Sequence, residues 1–99
     1  MEVIWSAKAK ITYFNVLDYL NKNWSRKEMI RFHHRTETIL NVIKKNPGIF
    51  PYSVKQSEIR KAHIDKNNSL FYHVDRQSQR ITLLTFFDNR QNPAKQKFD

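Results

Sequence analysis

Leu70-Phe71-Tyr72-His73-Val74-Asp75, then Arg76-Gln77-Ser78-Gln79, then Arg80-Ile81-Thr82-Leu83-Leu84-Thr85-Phe86-Phe87 is the stretch that decides the architecture. Leu70, Tyr72 and Val74 alternate with Phe71, His73 and Asp75, the period of a strand. The polar run 76–79 then turns the chain. Residues 81–87 are almost all apolar or Thr, so that strand is greasy on both faces and belongs at the centre of a sheet. Simple alternation through both strands puts Leu70, Tyr72, Ile81 and Leu83 on one face and Phe71, Leu84 and Phe86 on the other.

Immediately upstream, 52–56 and 59–64 read as two further short strands. The run Asp65-Lys66-Asn67-Asn68 between them and the stretch above is a turn of residues that bond their own backbone. Before Pro47-Gly48 the pattern is helical. Ser25 and Glu28 have capping-box spacing, and Met29, Phe32, Thr36, Ile39, Leu40 and Ile43 lay an apolar face along about five turns that must stop near Asn46. An earlier helix spans 7–22, with Ser6 as its N-cap and Ile11, Phe14, Leu17 and Leu20 as its stripe, widened by Tyr13 and Val16. Val3-Ile4-Trp5 ahead of it is β-prone. The order is β-α-α-β-β-β-β: an α+β domain, with an antiparallel helical hairpin on one face of a mostly antiparallel sheet. Residues 1–93 form one domain and 94–99 a tail of low apolar content.

A single helical hairpin covers one face of a sheet. The other face is therefore expected to expose an apolar patch rimmed by Lys and Arg, the mark of a protein-binding surface, unless the tail folds back over it.

With 99 residues and 39% hydrophobic content, the chain supports one core. Surface scaling gives ~6,000 Å² exposed when folded against ~17,000 Å² unfolded, enough for that core to stand unaided. Lys and Arg number 18 against 9 Asp and Glu, a net +9 that favours an anionic partner. The excess is spread along both halves. There is no Cys, which excludes disulfides, zinc-thiolate sites and cysteine nucleophiles. One Gly excludes a G-x-S-x-G elbow and the glycine-rich phosphate loops, and with them most nucleotide-dependent enzymes. The apolar start is too brief for a signal peptide or a membrane span, so a cytosolic chain without membrane contact is expected.

His33 and Glu37, one helical turn apart, are the candidate metal pair, but two ligands fall short of a zinc set and solvated imidazoles are the plainer reading. No cofactor or metal is expected. Lys55, Lys61, His63 and His73 make a basic sheet face, with Arg60 on the opposite side. Such a face can hold a phosphate backbone, and a histidine on it can move a proton. Metal-free phosphodiester cleavage needs a base, a cation for the phosphorane and an acid for the leaving oxygen, and these residue types are present.

Taken in order, Trp5-Ser6-x-x-Ala9, Asn46-Pro47-x-x-Phe50-Pro51, Ile59-Arg60-Lys61, Leu70-Phe71-Tyr72-x-Val74 and the closing strand with Asp88-Asn89-Arg90-Gln91-Asn92-Pro93 resemble the RelE/ParE superfamily of toxins from bacterial type II toxin-antitoxin pairs. The resemblance spans 3–93. It implies a small basic toxin of plasmid-stabilisation type that arrests growth in the cytoplasm of a bacterium. It also implies a cognate acidic antitoxin that folds as it wraps the toxin in a hetero-oligomer. Lys61, Phe71, His73, Leu84 and Phe86 on the uncovered face are the expected antitoxin contacts. RelE-like members cut mRNA in the ribosomal A site, whereas ParE-like members inhibit DNA gyrase without chemistry of their own.

Carried over residue by residue, the ribonuclease pattern places its strand lysine on Lys55 and its arginine beyond the last strand on Arg90. The arginine three residues before the strand tyrosine falls on Ser69, and no tyrosine follows Arg90, where Phe98 is the tail's only aromatic. Histidine or glutamate serves in some relatives, which admits His63, His73 or Glu58. Catalytic candidates, if the protein is a ribonuclease, are Lys55, Arg60, His63 and Arg90. These departures make a ParE-like gyrase inhibitor the first expectation and a metal-independent endoribonuclease the second.

Overall fold

The structure, a computed structural model, describes residues 1–98. Its elements are β1 (Glu2–Trp5), α1 (Ala7–Asn23), α2 (Arg26–Lys45), β2 (Tyr52–Val54), β3 (Ile59–His63), β4 (Asn68–Asp75) and β5 (Arg80–Asp88), followed by a short 3-10 turn at Pro93–Lys95. The expected order is the observed one. The strands form one sheet in the order β1-β5-β4-β3-β2. β1 runs parallel to β5, and the remaining pairs are antiparallel. Between β1 and β2 the chain crosses the sheet through the helical hairpin, which covers one face, here called the inner face.

Local chemistry explains the boundaries. Ser6 Oγ accepts from Ala9 N at 3.0 Å and Ser25 Oγ from Glu28 N at 3.1 Å, each satisfying a helical N–H that has no partner within the helix. The Glu28 carboxylate pairs with Arg31 at 3.3 Å. At the other end of α2 the Asn46 N–H reaches Val42 O at 2.9 Å before Pro47 ends the helix. Two aspartates build the hairpin turns alike. Asp65 Oδ1 accepts from the N–H groups of Asn67 and Asn68, both at 2.8 Å, and Asp75 Oδ1 from those of Gln77 and Ser78 at 3.0 and 3.3 Å. Bonds from Ser78 and Gln77 hold the Asp75 carboxyl below the usual carboxylate range.

The main core lies between hairpin and inner face: Ala9, Tyr13, Phe32, Leu40 and Ile43 against Ala62, Ile64, Leu70, Tyr72, Ile81, Leu83 and Phe86. α2 buries the expected face. α1 is rotated from expectation, with Ile11 61% and Phe14 63% exposed while Ala9 and Tyr13 are buried. Tyr13 is the pivot: its ring meets Trp5, Phe32 and Phe86, and its hydroxyl reaches His33.

Strict alternation fails in β5. Register slips between Phe71 and Tyr72 of β4, so Phe71 opposes Thr85 and Tyr72 opposes Leu83, leaving Leu84 as the extra residue of a β-bulge. The bulge moves Phe86 to the inner core and Phe87 to the outer face, correcting the expected placement of Phe86. Helix α1 satisfies the backbone groups the bulge frees. Ser6 Oγ donates to Leu84 O at 3.0 Å, and Phe86 N donates to Thr12 Oγ1 at 2.9 Å.

On the outer face Ile59, Phe71 and Phe87 form a second cluster, flanked by Val54, Leu84 and Phe98. The chain's own tail covers this patch: the Phe98 ring sits 5.0 Å from that of Phe71, and Lys8 Nζ donates to Lys97 O. Phe71 and Phe87 are thereby only 0% and 8% exposed, so the bare apolar patch expected there is absent. Among the described residues no helix is long and apolar enough to cross a membrane.

Candidate functional site

Of the expected outer-face residues, Lys61, Phe71, His73 and Leu84 do share that face, and Phe86 does not. Lys61 Nζ lies 5.5 Å above the Phe71 ring, a cation held on an aromatic face. Phe71 is fully buried beneath it and Phe98.

The four catalytic candidates are not gathered. Lys55 lies outside β2, in the turn before β3, because the strand ends at Val54. That turn adjoins Ile59, which opposes His73 and, through it, Thr82. His63 is at the other end of the sheet, opposite Ser69 and Phe87. Arg90 lies beyond the Asn68–Asp88 pair at that same end. Arg60 points to the inner side, where its guanidinium donates to Phe50 O at 2.7 Å and Gly48 O at 3.3 Å and stacks 3.9 Å from the Tyr52 ring centroid. Its fork is thus engaged by the α2–β2 connection.

Arg90 is held by Asp88, with Nε to Oδ1 at 2.9 Å and Nη2 to Oδ2 at 2.8 Å, a bidentate pair. The bonds from Arg90 lower the Asp88 carboxyl, and those to Asp88 raise the guanidinium. Ser69, at the position where the resemblance expects an arginine, is fully buried and touches His63 Nδ1 at 3.0 Å and Asn89 Oδ1 at 2.8 Å. Glu58 is exposed, with φ 54° in the turn before β3. Of the helical pair, His33 Nδ1 lies 2.6 Å from the Tyr13 hydroxyl. Burial and the Glu37 charge raise that phenol to about 12, so it keeps its proton throughout the neutral range.

The structure adds a feature that no local pattern announces. A groove of about 980 Å³ opens between the helical hairpin, the β3–β4 turn, the end of β5 and the tail. Lys8, Arg31, Arg35, Lys66, Arg90, Lys95 and Lys97 line it, against Glu28, Asp65 and Asp88. Two of the acids are engaged by Arg31 and Arg90, and Asp65 by backbone N–H groups. Exposed Tyr19 and Trp24 form part of the α1 wall. These cations come from segments up to 89 residues apart, so only the uneven composition hinted at them.

A parallel first strand, a helical hairpin and a four-stranded antiparallel meander define the fold of the small RelE/ParE-type toxins. More particularly, the chain is similar to the YoeB/ParE toxin from Agrobacterium tumefaciens, with a TM-score of 0.63 at 13% identity over 90% of this chain and 99% of that one. It is also similar to the chromosomal ParDE toxin-antitoxin system of P. aeruginosa, with 0.62 at 15% identity, 89% and 95% covered. The heterotetrameric YoeB-YefM toxin-antitoxin complex of Staphylococcus aureus gives 0.56 at 15%, 86% and 92% covered. No protein-family model matches the sequence, and none of the curated proteins does.

Proposed function

We propose that the protein is the toxin of a type II toxin-antitoxin pair, acts in the bacterial cytoplasm, and arrests growth by binding DNA gyrase, in the manner of ParE-like toxins. The observation that carries the binding reading is the dispersal of the candidate catalytic groups: Lys55 is at one end of the sheet, His63 and Arg90 are at the other, and Arg60 is tied to Gly48 and Phe50 on the inner side. Phosphoryl-transfer catalysis depends on a base, a cation and an acid converging on one phosphate. A net charge of +9 and the cationic groove suit an acidic antitoxin, which neutralises the toxin in a hetero-oligomer comparable to the S. aureus complex.

A second reading, a ribosome-dependent mRNA endoribonuclease, is favoured by one observation. His63 and Arg90 lie at the same end of the sheet, and Arg90 lines the cationic groove. The two readings separate in purified systems. Blocked gyrase supercoiling with mRNA left intact on translating ribosomes is the expected result; mRNA cleavage with unimpaired supercoiling would overturn it in favour of the nuclease. In the nuclease case Arg90→Ala abolishes growth arrest through lost phosphate stabilisation, and in the binding case mRNA stays intact with either residue.

A further inference from the structure

The polar chain on the outer face determines where the protons sit. Ser69 has one hydroxyl proton, and at 2.8 Å it goes to Asn89 Oδ1, which can only accept. Asn89 takes that orientation because its Nδ2 donates to Lys66 O at 3.4 Å, while its backbone N–H, bonded to Asn67 O at 2.7 Å, anchors the main chain. The remaining polar contact of Ser69, to His63 Nδ1 at 3.0 Å, then has to be one in which the hydroxyl oxygen accepts. Nδ1 therefore carries the imidazole proton. In the neutral ring the other nitrogen, Nε2, is left as a bare lone pair, and His63 is exposed while Ser69 is fully buried.

We infer that Ser69 and Asn89 are positioning residues that hold His63 in the Nδ1–H tautomer and leave its exposed Nε2 as a proton-accepting atom. The inference goes beyond gyrase binding, which asks no chemistry of the chain.

Long-range proton–nitrogen NMR on the neutral ring reads the tautomer directly, and diethyl pyrocarbonate, which acylates a bare imidazole nitrogen, reports the accessibility of Nε2. The wild-type protein is expected to show the proton on Nδ1 and acylation of His63 at Nε2. In Asn89→Ala the freed Ser69 hydroxyl turns to donate to Nδ1, so the proton moves to Nε2 and acylation slows severalfold. Asn89→Asp retains an acceptor for the hydroxyl and keeps the wild-type tautomer. Ser69→Ala also releases the Nδ1 proton and Ser69→Thr restores it; should Ser69→Ala fail to fold, the Asn89 pair carries the test. A wild-type ring protonated at Nε2, or a tautomer indifferent to both Asn89→Ala and Ser69→Ala, would overturn the assignment. Neither readout depends on the gyrase or ribosome assays.

Discussion

Arg60, a catalytic candidate in sequence, has a guanidinium tied into the fold. Its guanidinium bonds the carbonyls of Gly48 and Phe50 and lies over Tyr52, on the side of the sheet opposite Lys61 and His63. Arg60→Ala is therefore expected to lower the stability to urea by ~1.5–3 kcal/mol, the range for hydrogen bonds to a charged donor. Unchanged urea midpoints would show that the connection holds without it. Two buried tyrosines make a second residue-scale prediction. Burial raises both Tyr13 and Tyr72 from 10.0 to about 12. The folded chain thus binds these protons more tightly than the unfolded one, so their contribution is complete below pH 10 and is lost as pH rises towards 12. Stability measured across that window should fall, and the fall should be shallower in Tyr13→Phe. Tyr72→Phe should flatten it likewise while losing the 2.9 Å bond to Pro47 O.

At the scale of elements, the bulge in β5 and the start of α1 form one unit. Ser6 both caps the helix and donates to Leu84 O, whereas Ser25 only caps. Ser6→Ala should cost more than Ser25→Ala, for which a lost cap predicts ~1 kcal/mol in chemical denaturation. Thr12→Val, nearly isosteric, strands the Phe86 N–H and should cost ~1–3 kcal/mol, while Thr12→Ser should preserve most of the stability. A Thr12→Val variant as stable as the wild type, with Thr12→Ser the costlier of the two, would assign the effect to the methyl group. This unit also explains what the sequence concealed. Residues 81–87 are apolar at nearly every position, so their pattern carries no mark of which residue is extra, and alternation assigned Phe86 to the wrong face. β4 was legible because polar His73 and Asp75 flank apolar Val74 and so mark which positions face outward.

Across the whole molecule, the tail completes the fold by lying on the face the helices leave open. Phe98→Ser in the full chain should bare Phe71 and Phe87, raise the binding of a hydrophobic dye and lower the midpoint of unfolding, with the inner core intact by circular dichroism. Unaltered dye binding would mean the outer cluster is shielded without Phe98. The sequence by itself determined the element order, the helix caps, the turns and the buried face of α2, since each depends on residues within a few positions of one another. It also held the excess of cations and the types of the candidate site residues. Only the tertiary structure decided the register slip in β5, the rotation of α1, the cover over the outer sheet and the separation of Lys55 from His63 and Arg90. Those features rest on contacts between distant segments, such as Thr12 with Phe86 and Phe71 with Phe98, and hydrophobic burial is too nondirectional for composition to specify such pairs.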